Sequence, residues 1–199
     1  MFTIALAASL VPAISESIAK SDFGSASRKS ELAIRLSLLI GLPAAFGLFI
    51  LADPIMKLMY PAEPASLGMV LRYLSTAVIF LTLVQTMTGI LQGMGKERIP
   101  VMSLIVGALV KFAVSYTLTS IPFINIRGAA IGTVAGYAVS AFLNLSAIVK
   151  HQKSSIRITK IIVKPLIATG AMMAAAYLSY RLIFEAIGRN SVATLISVT

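Results

Sequence analysis

The chain has 199 residues, of which 58% are hydrophobic and only 12% charged. A soluble domain carries about 25% charged residues, so this composition calls for an apolar solvent. A net charge of +10 from 17 Lys and Arg does not by itself indicate nucleic acid. The cations form no basic amphipathic helix, no RNA-type aromatic motif accompanies them, and they fall between apolar runs. With no Cys, disulfides and thiolate metal sites are excluded.

Taken in chain order, the first element is a partial apolar run over 1–15, with no charge before Glu16 and no positive charge before Lys20. A secretory signal puts its positive region first, so this run is not one. The second element, 31–52, contains the charge-free run 36–52 and carries Pro43 in mid-span, with Gly41 and Gly47 nearby. Proline inside a helix removes a backbone donor and is expected to kink or loosen it. Arg35 follows Glu31 by one turn, an i,i+4 pair near a helix end, where it reads as an interface anchor or a substrate contact.

The third element is 69–93, most of which lies in the charge-free run 73–95. Gly89 and Gly93 give it a small-xxx-small spacing that lets helices approach closely, and Gln85 and Gln92 add costly amides at lipid depth. This face is expected to point inward, for packing or for substrate. The fourth element, 99–119, contains Lys111 near mid-span, with Ser103, Gly107, Ser115 and Thr119 at spacings of four around it. A lysine at the membrane midplane costs about 2.5–3.5 kcal/mol and usually faces a bundle interior or a watery cavity. Lys111 therefore reads as a cation for an anionic substrate, or else as a partner that holds helices together.

The fifth element, 127–149, carries Gly128, Gly132, Gly136, Ser140 and Asn144 at intervals of four. This is a helix-packing stripe, and Asn144 is the one member expected to reach a substrate path. The sixth and seventh elements are 162–184, with Tyr177, Tyr180 and Arg181 at its interfacial end, and the partial 190–199. All seven should be helical, because an open sheet leaves unsatisfied backbone in lipid. The single His151 lies in a charged loop and reads as solvated rather than metal-bound.

Orientation follows from the basic residues on alternate sides. Lys20, Arg28, Lys29, Lys96, Arg98, Lys150, Lys153, Arg157, Lys160 and Lys164 fall on one side, and Lys57, Arg72, Arg127, Arg181 and Arg189 on the other. Loops 16–30, 94–98 and 150–164 are accordingly expected to be cytoplasmic. All seven carboxylates lie at span ends or in loops, and no nucleophile or phosphate-cradling motif is present. The sequence thus points to no enzyme, no cofactor, no metal and no buried carboxylate for ion coupling.

Four blocks carry a family resemblance: Ser9-Leu10-Val11-Pro12-Ala13-Ile14-Ser15-Glu16, Leu42-Pro43-Ala44-Ala45-Phe46-Gly47-Leu48, Gly89-Ile90-Leu91-Gln92-Gly93-Met94-Gly95-Lys96 and Gly128-Ala129-Ala130-Ile131-Gly132-Thr133. In this order they resemble the stage V sporulation protein B group of polysaccharide-biosynthesis membrane proteins. That group sits with lipid II flippases and multidrug extruders in one exporter superfamily.

The resemblance implies an all-α, multi-pass helical bundle, the C-terminal lobe of a two-lobed flippase of about fourteen helices around a cavity of alternating access. Residues 1–149 would be lobe helices starting at the end of the eighth, and 150–199 a basic cytoplasmic loop with the last two helices, cut within a helix at each end. The missing N-terminal lobe would be needed for function. Lys111 matches a lysine of the corresponding helix in that group, with no role carried over.

The implied partners are bacterial cell-membrane lipid and a lipid-linked oligosaccharide or peptidoglycan precursor. A drug or organic-cation antiporter of the same fold is the first alternative, although it would want cavity carboxylates. A non-transporting scaffold for envelope synthesis is the second, although the loops are short.

Overall fold

The computed structural model describes residues 2–60, 64–121, 126–151 and 169–170. Among the described residues six helices run in the order α1 (Phe2–Ala19), α2 (Phe23–Ile50), α3 (Ala52–Met59), α4 (Pro64–Gly93), α5 (Arg98–Thr119) and α6 (Ile126–His151). No strand occurs among the described residues. The expected spans 162–184 and 190–199, and the unit 150–199 as a whole, lie outside the described residues except at 150–151 and 169–170.

Among the described residues, four helices are long and apolar enough to cross a bilayer: all of α2, α5 and α6, and 27 residues of α4. Helices of 22 to 28 residues span about 33–42 Å, which exceeds the roughly 30 Å of hydrocarbon. The fold is that of an all-α, multi-pass membrane protein.

Two tight turns reverse the chain at one end of the bundle. Ser21 adopts a left-handed φ of 57°, which lets its N–H donate to Ile18 O (2.9 Å) while Asp22 N–H donates to Ser17 O (2.9 Å). Asp22 then caps α2 by accepting from Ser25 N–H at 2.8 Å. The α4–α5 turn repeats the same closing geometry, with Gly95 at φ 69°, Gly95 N–H on Gln92 O and Lys96 N–H on Leu91 O.

Glycine takes this conformation freely, whereas an L side chain is strained by about 1–2 kcal/mol. Ser21→Gly is accordingly expected to stabilise the fold by about 0.5–1 kcal/mol, and Gly95→Ala to destabilise it by about 1 kcal/mol. Denaturation midpoints in detergent micelles, followed by circular dichroism, check both signs.

These turns correct the expected loop 16–30. α1 continues to Ala19 and α2 begins at Phe23, so only Lys20, Ser21 and Asp22 connect them. The charges of 28–35 sit on the first turns of a long helix, not in a loop. The structure also adds a helix the sequence did not suggest, α3, between the second and third expected elements. Pro64 is accommodated because it occupies the first turn of α4, where no backbone donor is required. Pro43 lies inside α2, which stays helical on both sides of it, as Pro12 lies inside α1.

α4 is the central helix and packs against α1, α2, α3 and α6. The core gathers Leu10 and Ile14 of α1, Ala33, Ile34, Leu38 and Leu42 of α2, Met87, Ile90 and Leu91 of α4, and Ile148 of α6. Ser15 Oγ donates to Gly93 O (3.0 Å), and Lys29 Nζ donates to Ala13 O and Ser17 Oγ (both 2.9 Å), tying the ends of α1, α2 and α4 together. Ile148 in the same cluster brings the end of α6 there as well. Lys20, Arg28, Lys29, Lys96, Arg98 and Lys150 therefore share one end of the bundle, and Lys57, Arg72 and Arg127 the other.

A groove between α5 and α6

α5 packs on α6 and barely touches any other described helix. Only 11% of its span is buried, against 39% for α2, so α6 is what holds it. The seam between them is lined by small residues in antiparallel register. A Cβ at Gly136 would lie 2.7 Å from Gly107 O and 2.9 Å from Lys111 Cβ. One at Gly132 would lie 2.9 Å from Lys111 O and press on the Ser115 hydroxyl, and one at Gly128 would lie 2.8 Å from the Leu118 and Thr119 backbone. Real Cβ atoms do not approach this closely, so glycine is what lets the two backbones meet.

At the far end of the seam, hydroxyls and an amide replace glycine. Ser140 Oγ donates to Ser103 O (2.9 Å), and Ser103 Oγ lies 2.6 Å from Asn144 Oδ1 and 2.9 Å from Pro100 O. One hydroxyl hydrogen serves only one of these two acceptors. Asn144 is fully buried, with its amide nitrogen unpartnered among the described residues. It does not line the groove at Gly107 and Gly136.

Where two glycines face one another the surface sinks. Gly107 and Gly136 form the floor of a groove of about 230 Å³, flanked by Leu104 and Ala108 and by the polar side chains of Lys111, Thr133, Tyr137 and Ser140. Lys111 is exposed on α5, fourteenth of its 22 residues, and its ammonium has no hydrogen bond or ion pair among the described residues. The ion pairs found among them, Glu16–Lys20 and Asp53–Arg72, lie elsewhere. A cation on a spanning helix with no carboxylate beside it needs water, an anion or a further segment to offset its desolvation.

The other candidates do not converge on this groove. Gln85 is half-buried on α4, and Gln92 is exposed near the C-terminal end of α4. Arg35 is half-buried on α2, and no ion pair joins it to Glu31, contrary to the expected i,i+4 contact. Gly89 and Gly93 face α1, where a Cβ would lie 2.8 Å from Ala7 O and 2.9 Å from Ile14 Cβ respectively. Among the described residues no group of His, Cys, Asp and Glu is arranged to hold a metal.

Tyr137 is the lining residue that sequence reasoning passed over. A phenol in a charge-free span beside a packing glycine was the available signal, since its hydroxyl needs a partner that lipid cannot provide.

Fold and groove together define a multi-pass helical membrane protein, with a lysine-bearing groove between two antiparallel spans. The chain belongs to the lipid II flippase family: the family model described as "Lipid II flippase MurJ" matches residues 1–198. Three proteins of Bacillus subtilis (strain 168) are similar to it. An uncharacterized membrane protein, YabM, is 27% identical over 195 residues, covering 96% of this chain and 36% of YabM.

Stage V sporulation protein B is 29% identical over 156 residues, 78% of this chain and 30% of that protein. The lipid II flippase MurJ is 26% identical over 152 residues, 75% of this chain and 28% of that flippase. The chain thus spans about a third of the length of the curated relatives it matches. No solved structure matches it significantly.

Proposed function

We propose that this chain forms the C-terminal lobe of a transporter that moves a lipid-linked sugar precursor, of the peptidoglycan or a related envelope polysaccharide, across the membrane by alternating access. The carrying observation is Lys111, an ammonium without a partner among the described residues, beside the groove between α5 and α6. A pyrophosphate-linked sugar presents multiple negative charges next to hydroxyls, and the groove offers a cation together with the hydroxyls of Thr133 and Tyr137. The named activity of the similar lipid II flippase supports the same substrate class. Transport in this reading is binding and release without covalent chemistry.

The basic end of the bundle is read as cytoplasmic under the positive-inside rule, which places the α1–α2 and α4–α5 turns and Lys150 on the inner face. An organic-cation antiporter fits less well, because the spans of α4, α5 and α6 offer Lys111 to a substrate and no carboxylate below Arg72. A scaffold would need cytoplasmic surface, and the two described turns on that side expose only a few residues.

Vesicles reconstituted with the full-length protein and fluorescent polyprenyl-pyrophosphate sugar test the proposal. Labelled head groups should become accessible to a membrane-impermeant quencher faster than in protein-free vesicles, and a cationic dye should gain nothing. Equal rates with and without protein, or transport of the dye alone, would overturn it.

A further inference from the structure

We propose that α3 lies flat on the bilayer surface as an in-plane helix whose partner is phospholipid, with Lys57 and the Tyr60 phenol against anionic head groups and Leu58 and Met59 seated among the upper acyl chains. The level of α3 is fixed by two charges that end the apolar runs on either side of it. The charge-free run that begins in α2 continues past its end to Ala52 and stops at Asp53 in α3, while that of α4 begins at Tyr73 just after Arg72. Those two bounding charges meet: the Arg72 guanidinium donates to the Asp53 carboxylate. An ion pair between the charge that ends one apolar run and the charge that precedes the next marks where hydrocarbon gives way to the head-group layer.

One side of α3 is committed to protein. Ala52 is fully buried, Gly68 leaves room for Asp53 to close on α4, and Arg72 also sits 5.8 Å from the ring centroid of Phe49. The other residues are not so covered. Leu58 is 76% exposed, Met59 62% and Tyr60 53%, three consecutive large side chains, and Lys57 precedes them in the last turn. A Lys–apolar–apolar–Tyr sequence at the boundary matches both layers of the interface, ammonium and phenol to the head groups and Leu and Met to the chains. Water would leave the apolar pair unburied, and the hydrocarbon interior would strand Lys57.

The test is independent of what is transported. Leu58→Cys in a cysteine-free full-length protein is labelled with an environment-sensitive fluorophore and reconstituted into vesicles containing anionic lipid. Position 58 is exposed enough that the change disturbs no packing. A nitroxide attached near the lipid head group should quench the label about twofold more than one deep in the acyl chain, and an aqueous reductant should react at least about tenfold more slowly than with a labelled soluble peptide.

Lys57→Gln should reduce the quenching by shallow nitroxide in anionic vesicles. Reduction at the soluble-peptide rate would put α3 in water. Stronger quenching by the deep nitroxide would put it in the hydrocarbon. A label reached by neither agent would show that protein covers it. Any of these three results overturns the proposal.

Discussion

Gly136→Leu is expected to separate α5 from the bundle and to remove most of the folded protein from detergent extracts. The Cβ alone would lie 2.7 Å from Gly107 O and 2.9 Å from Lys111 Cβ, and both are fixed to helical backbone, so the strain cannot be relieved by rotating a side chain. Overpacking of this kind costs about 1–3 kcal/mol for small additions, which sets the expectation for Gly136→Ala. Leucine adds three more carbons where none fits. The consequence is severe because α5 has almost no other described neighbour to hold it once α6 is lost.

Gly47→Ala in α2 is the internal contrast, since nothing lies within 4 Å of its added Cβ. That change should stabilise the fold by about 0.5–1 kcal/mol through helix propensity. Denaturation in mixed micelles should therefore move in opposite directions for the two alanine variants. A Gly136→Ala protein as stable as the parent would show that the α5–α6 seam is looser than its geometry.

Lys111→Ala is expected to lower transport of the pyrophosphate-linked substrate by roughly ten- to a hundredfold while leaving the denaturation midpoint unchanged. The range corresponds to about 1.5–3 kcal/mol, the loss of one charge-assisted hydrogen bond to an anion. Stability should hold because the ammonium makes no intramolecular contact among the described residues, and the seam contacts of residue 111 come from its backbone oxygen and Cβ, which alanine keeps. Lys111→Arg should retain most activity, since the charge persists on a longer stem. Rates are read with full-length protein in vesicles. Undiminished transport by the alanine variant would remove Lys111 from the substrate path.

The long helices could be read from the sequence because apolar length has few alternatives in lipid, and the glycine spacings on 89–93 and 128–136 because a period of four defines a face whatever it meets. Which neighbour a face meets is another matter. Gln85 and Gln92 share a helix but not a burial state, and nothing local says that Gln92 ends up exposed beside a turn. Lys111 could be singled out by cost alone, whereas the groove beside it depends on Gly107 and Gly136 arriving opposite one another from 29 positions apart.

α3 escaped because eight residues containing Asp53, Pro54 and Lys57 are too short and too mixed to give an apolar period. The loop expected over 16–30 failed for the converse reason. Clustered charges suggest a helix end, whereas Lys20–Asp22 suffice to reverse the chain and the charges that follow lie within α2 itself.

That α5 is carried by α6 bears on how such a lobe would change state. Both walls of the groove and its glycine floor belong to the same pair of helices, so the groove would move as one piece with α5 and α6 when the lobe leans. Access to either side of the membrane would then be controlled at the α4–α6 contact, which is the couple's main attachment to the other described helices.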